Sequence, residues 1–263
     1  MTITQRNNTL LVIIGIIAVI LIFLAIVPYI LYKTGEMENL YIAYQKLYTS
    51  NNYIFGFMII LYAAINLFTL RSFFYKTNSA EIFFFMIYLI TLVFESSRSI
   101  ILILKELNSS FVYIMFLSKL AYFSKMCGVF AFFASALASS NIRINKLNMP
   151  LIVIIVLSLM FSSTIPLSDK ILDNNYYMPG FFTYYLFTLF FIELLTVLIF
   201  VINYFQKKNS EYFFLALSII LIAVGREITF YIVSIPYFSI GMLLMIGGTI
   251  LFSYKLREIY KWY

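Results

Sequence analysis

Seven charged residues of this 263-residue chain fall inside long apolar runs: Glu95, Arg98, Lys119, Lys125, Glu193, Arg226 and Glu227. A charge at the centre of a bilayer costs about 2.5–3.5 kcal/mol on insertion scales, so each must face another charge, water or a ligand. The chemistry open to such a set is ion pairing, ion or proton passage, or recognition of a small polar or anionic molecule. Glu95 and Arg98 are spaced i, i+3, share a helix face and are expected to pair directly. Arg226 and Glu227 are adjacent and point about 100° apart on a helix, so they must reach towards different partners. A simple closure puts Glu227 near Arg98 or Lys125, and Arg226 near Glu95 or Glu193. Four positive and three negative charges leave this set at +1.

The remaining inventory excludes much else. There is no histidine, which removes bis-histidine haem ligation, the usual histidine-containing zinc sites and Ser-His or Cys-His nucleophile pairs. Cys127 is a lone cysteine and has no internal disulfide partner; it reads as a small core residue. No Gly-rich phosphate loop, paired metal carboxylates or Ser-x-x-Lys pattern occurs in a suitable setting. The expectation is a protein without enzymatic activity, cofactor or metal.

The elements that must carry the seven charges follow from composition and hydropathy. Of all residues 63% are apolar, 20% aromatic and 11% charged, and the mean hydropathy is +0.97. A water-soluble domain of this size needs a more polar surface. The reading is an all-α, polytopic membrane bundle of eight transmembrane helices forming one domain. The spans are placed at 9–32, 53–70, 82–104, 111–139, 149–165, 181–204, 212–235 and 238–254. The first run is longer than a signal-peptide core and lacks a clear cleavage site, so it is read as an uncleaved span. Glycines 241, 247 and 248 are expected to permit close helix contact, and tyrosines at span ends, including Tyr53, Tyr176 and Tyr177, to form interfacial belts.

Basic residues fix the expected topology. With the N-terminus inside, inner segments hold ten Lys and Arg and outer segments four, as the positive-inside rule requires for both termini in the cytoplasm. The net charge of +7 is thereby explained by topology, and nucleic acid is not expected as a partner. The spans read as two tandem sets of four, 1–146 and 147–263, whose third helices open alike (Glu81-Ile82-Phe83-Phe84 and Glu211-Tyr212-Phe213-Phe214). At 1.5 Å per residue, Glu95 and Arg98 lie about 20 and 24 Å from the inner edge and Arg226 and Glu227 about 21–23 Å. Lys125 falls in the same outer layer, Lys119 near the outer interface, and Glu193 about 18 Å below the outer edge. Two readings of this layer stand at this point: a satisfied network that fixes packing, or an outward-facing cavity in which Arg98, Lys125 and Arg226 contact an anion.

In layout the chain resembles the polytopic membrane-input modules of bacterial sensor histidine kinases and diguanylate cyclases. The resemblance is carried by Leu70-Arg71-Ser72-Phe73, Phe94-Glu95-Ser96-Ser97-Arg98, Leu120-Ala121-Tyr122-Phe123, and the last span from Ile235-Pro236-Tyr237-Phe238 to Tyr254-Lys255-Leu256-Arg257. It implies perception of a ligand or membrane state, passed through the last helix to an output. Only about nine residues follow that helix, a departure from the pattern, so the expectation is that either a separate protein supplies the output or the module has another task. The leading expectation is a sensory or ligand-binding module of the cytoplasmic membrane that binds a small ligand through Glu95, Arg98, Lys125, Glu193, Arg226 and Glu227. A small transporter or transport-complex subunit, with Glu193 on the substrate path, is the alternative. Expected partners are the lipid bilayer, a cytoplasmic signalling or transport protein, and further copies of the chain.

Overall fold

Long apolar runs that must satisfy every backbone group without water have one local solution, the helix. The computed structural model describes residues 3–33, 50–75, 79–107, 110–140 and 147–260. Among them are α1 (Ile3–Lys33), α2 (Asn51–Phe73), α3 (Ala80–Glu95), α4 (Arg98–Glu106), α5 (Phe111–Ser139) and α6 (Asn148–Thr164). A hairpin of β1 (Leu167–Ile171) and β2 (Tyr177–Pro179) follows, then α7 (Phe182–Lys207), α8 (Glu211–Tyr231) and α9 (Ile235–Tyr260). Seven helical segments, with α3 and α4 together counted as one, are long and apolar enough to cross a membrane. This is the build of a multi-pass membrane protein. The helix α6 is apolar but shorter. The polar segment with Glu36, Glu38 and Lys46, and the residues Lys76, Arg143 and Lys146, lie outside the described residues.

Burial is greatest in α3, α4 and α5, which pack together at the centre. Phe85, Tyr88, Phe132 and Phe252 interlock there, with ring centroids 4.0 Å apart for Tyr88–Phe132 and 4.4 Å for Phe85–Phe252. The outer helices α1, α6, α7 and α9 turn wide apolar faces outward. In α1 the buried apolar residues form a narrow seam of Leu10, Ile17, Leu24 and Val27, with Arg6 and Asn7 buried near its start. The helix is tied to α2 at both ends instead: the Tyr53 hydroxyl donates to the Leu24 carbonyl, and Arg6 Nη2 donates to the Phe74 carbonyl at 2.7 Å. The latter satisfies a carbonyl that the end of α2 leaves without an intrahelical donor.

Three elements differ from the sequence reading. The span 82–104 is not one helix; it opens at Ser96–Ser97, with no proline or glycine nearby. The segment left between the spans 149–165 and 181–204 folds as the antiparallel hairpin. The last helix is longer than the span 238–254: Pro236 sits in the first turn of α9, where its missing N–H removes no bond, and the helix continues to Tyr260. Tyr53, Tyr176 and Tyr177 are not interfacial anchors either, since all three are buried.

Glycine sets the approach of α8 and α9. A Cβ at Gly225 would lie 2.6 Å from the Gly241 carbonyl, and one at Gly248 2.7 Å from Ile222 Cγ1 and 2.9 Å from the Ser218 carbonyl. Gly247, by contrast, faces open space. We expect Gly241→Leu to lower stability in detergent by about 1–3 kcal/mol through overpacking. Gly247→Leu should change it by less than about 0.5 kcal/mol, as thermal unfolding of the two variants would measure.

Candidate functional site

The opening in the third span positions the charged layer. The Ser96 hydroxyl bonds back to the Val93 carbonyl at 2.8 Å, a local competition that bends helices. Ser97 N–H turns to the Phe94 carbonyl at 3.2 Å, the acceptor that a regular helix would offer Arg98. Arg98 N–H is therefore released. It donates to the Tyr176 hydroxyl at 2.7 Å, and that hydroxyl donates to the Glu95 carbonyl at 2.6 Å. One phenol from the hairpin thus replaces the helical bond on both sides of the opening, the inserted-side-chain cause of a kink. Burial pushes the Tyr176 phenol up to about 12, so it stays a donor throughout the physiological range.

The hairpin is held over the layer by bonds to several helices. Asn174 Nδ2 donates to the Phe230 carbonyl at 2.8 Å, and Asn52 Nδ2 to the Asp173 carbonyl at 2.9 Å. Lys105 Nζ meets Asn175 Oδ1 at 3.2 Å, and the Tyr122 hydroxyl donates to the Tyr177 carbonyl at 2.7 Å. Tyr176 stacks on Phe230 with centroids 5.4 Å apart. The positive φ of 70° at Asn175 makes the tip turn, a conformation asparagine tolerates.

Beneath this cap the structure brings most of the expected residues together in pairs. Arg226 Nε lies 3.0 and 3.2 Å from the two Glu95 oxygens, its Nη2 lies 2.8 Å from Glu95 Oε2, and Nη2 also donates to the Lys125 carbonyl at 2.8 Å. Gly128 makes room for that guanidinium: a Cβ there would lie 2.9 Å from Nη2. Lys125 Nζ meets Glu227 Oε2 at 2.8 Å and sits 4.0 and 4.1 Å from the ring centroids of Phe230 and Tyr231. Lys119 stands apart at the exposed edge, donating to the Ser163 carbonyl at 3.2 Å.

The expected direct pair of Glu95 with Arg98 is not formed. The opening between them removes the shared helix face on which that expectation rested, and Glu95 goes to Arg226. Arg98 is left fully buried without a carboxylate partner. Its Nη1 donates to the Thr229 carbonyl at 3.0 Å, and its guanidinium carbon lies 5.9 Å from the centroids of both Phe55 and Phe238, which stack at 3.8 Å. Nε and Nη2 have no partner among the described residues. Glu193 is only partly buried and makes no hydrogen bond or ion pair among the described residues, although it lies within electrostatic reach of Glu227. Glu227 Oε1 and the buried hydroxyls of Tyr185 and Tyr231 are likewise without partners. No cluster of metal-ligating side chains occurs among the described residues.

Tyr176, Asn174, Thr229, Gly128 and the Phe55–Phe238 pair were not singled out as site residues by the sequence. Only Tyr176 carried a signal, an aromatic in a polar segment, and the span-end position gave it a different reading. Compared with family models, with curated proteins and with solved structures, the chain matches none.

Two outcomes are expected. Glu95→Gln leaves a buried guanidinium without its carboxylate and should lower stability by about 3–5 kcal/mol, read as thermal unfolding in detergent. Tyr176→Phe leaves the Arg98 N–H and the Glu95 carbonyl unpaired, a loss of about 1–3 kcal/mol, with faster amide exchange confined first to residues 95–100.

Proposed function

We propose that the protein is a non-enzymatic sensory or ligand-binding module of the cell membrane, in which a small anionic ligand binds at Arg98 beneath the hairpin. The single observation that carries this reading is the Arg98 guanidinium, buried with two uncommitted donors and no counter-charge. A buried ion left unpaired costs several kcal/mol, and an anion accepting from Nε and Nη2 offsets that cost. The hairpin supports the reading as a cover: its Tyr176 touches the backbone on both sides of the opening, so moving it changes the third span. That span reaches the inner end, where Glu81 Oε2 accepts from the Tyr260 hydroxyl of α9 at 2.6 Å. Occupancy at Arg98 thus has a continuous route to the last helix, and from there to a cytoplasmic partner protein.

The reading includes α6 as an eighth span, both termini on the cytoplasmic side, and two halves, 1–146 and 147–263. It agrees with the resemblance to sensor input modules, and it leaves room for a homo-oligomer in the bilayer. A transporter is the second reading, favoured by Glu193 and by the uncommitted Glu227 Oε1, two acceptors on the neighbouring helices α7 and α8.

Thermal unfolding with small carboxylates, inorganic phosphate and neutral sugars as probes tests the proposal. An anion at about 100 times its Kd should raise Tm by about 5 °C or more, and Arg98→Met should abolish that rise while Arg98→Lys retains part of it. Stabilisation by the anion that is equal in Arg98→Met would overturn the assignment. Flux of the same solute into proteoliposomes would replace sensing by transport.

A further inference from the structure

A second candidate site lies along the same pair of helices, α2 and α9, beyond the Phe55–Phe238 stack and towards the C-terminal ends of both. The helices α2 and α9 run parallel and meet along one edge. Phe55 stacks on Phe238, the Tyr62 hydroxyl donates to the Met245 carbonyl at 3.2 Å, and the same hydroxyl bonds Thr249. Beyond Tyr62 the two helices leave a groove of about 610 Å³ between them, walled by Met58, Ile65, Ile246 and Ile250. Asn66 and Thr69 border it, but both side chains bond back to α2, Asn66 Nδ2 to the Tyr62 carbonyl at 2.8 Å and Thr69 Oγ1 to the Asn66 carbonyl at 2.9 Å. The wall is accordingly mostly apolar, with Ser253 and Tyr254 adding polar atoms on the α9 side.

One charge interrupts it. Arg257 closes the groove at the C-terminal end of α9, with its guanidinium carbon 5.6 Å from the Phe73 centroid. Its neighbour Lys255 is committed to Glu211 at 2.9 Å and Glu258 at 2.7 Å, whereas Arg257 makes no hydrogen bond or ion pair among the described residues. From Met58 to Phe73, and from Met242 to Arg257, the groove is about 22 Å long at 1.5 Å per residue. Half of a bilayer's hydrocarbon core is about 15 Å, so the groove runs the depth of one leaflet and ends in the headgroup region.

We infer that this groove is a binding site for an anionic phospholipid of the leaflet at the C-terminal end of α9, with an acyl chain along the α2–α9 wall and the phosphate on Arg257. A single uncommitted cation at one end of a one-leaflet apolar channel matches one negative headgroup on one chain. Each buried CH2 contributes about 0.8 kcal/mol relative to water, a term any lipid supplies equally, so the selectivity for anionic headgroups comes from Arg257. One arginine at a membrane surface corresponds to about fivefold in affinity.

Native mass spectrometry of the purified full chain, incubated with equal amounts of phosphatidylglycerol and phosphatidylcholine of identical acyl chains, tests this. Expected is one retained lipid per chain with about fivefold preference for phosphatidylglycerol. Arg257→Gln should abolish the preference while lipid remains bound; Ile250→Trp should fill the groove and remove both. Both positions are exposed on the folded bundle, Ile250 at 63%, so neither substitution removes a packing contact on which folding depends. Equal retention of the two lipids by the unaltered chain would overturn the site. So would an unchanged preference in Arg257→Gln, or a dimer that Ile250→Trp dissociates and phosphatidylglycerol does not affect.

Discussion

The structure depends on one hydroxyl placed in a broken helix. The third span has no proline or glycine at Ser96–Ser97, the back-bond of Ser96 only bends it, and an open helix in an apolar surrounding leaves an N–H and a carbonyl unpaired at a cost of several kcal/mol. Tyr176 supplies both partners from one atom, donating at 2.6 Å and accepting at 2.7 Å. The bond is also what carries the hairpin into the bundle. Cap and opening therefore exist together, and either alone would leave buried polar groups unsatisfied.

The charges follow from that geometry. In an unbroken helix Glu95 and Arg98 would neutralise each other one turn apart, and Arg226 would be the residue in excess. The opening separates them, so the bidentate pair forms between Glu95 and Arg226 across helices, and the excess positive charge moves to Arg98 under the hairpin. An interhelical pair of this kind fixes the relative height of α3 and α8, while Lys125 and Glu227 do the same for α5 and α8. A network that sets packing and a cation without a counter-charge are thus two parts of one arrangement, and the alternative between structural layer and binding layer does not require a choice of one for all seven charges. The close glycine contacts of α8 with α9 extend the same rigid unit to the last helix.

Much of this was legible in the residues and some was not. Apolar runs of about 20 residues announce spans because the bilayer's thickness sets their length, and seven such segments are present. That Glu95, Lys125, Arg226 and Glu227 meet at one level was legible because depth along a helix is a count of residues. The candidates offered for Arg226 and Glu227 included Glu95 and Lys125, the partners found, since adjacent residues on a helix must diverge. The opening at Ser96–Ser97 was not legible: serines within apolar helices usually bond back to their own turn, and the difference lies in a tyrosine 81 residues beyond Glu95. The fate of Arg98 was hidden for the same reason. Gly247 and Gly248 looked alike in sequence, and only the direction of the neighbouring helix distinguishes them. Tyr53, Tyr176 and Tyr177 misled because a belt residue and a buried one share composition and position at a span end.

The central claim is that the layer beneath the hairpin holds an anion against Arg98. An experimental density map of the protein purified with its membrane lipids, at a resolution that separates water from larger groups, tests it most directly. The account predicts a non-protein feature larger than one water within hydrogen-bond distance of Nε and Nη2 of Arg98, enclosed by Phe55, Phe238 and the Tyr176 hairpin. A guanidinium whose free donors meet a protein carboxylate, or a single water, would contradict it.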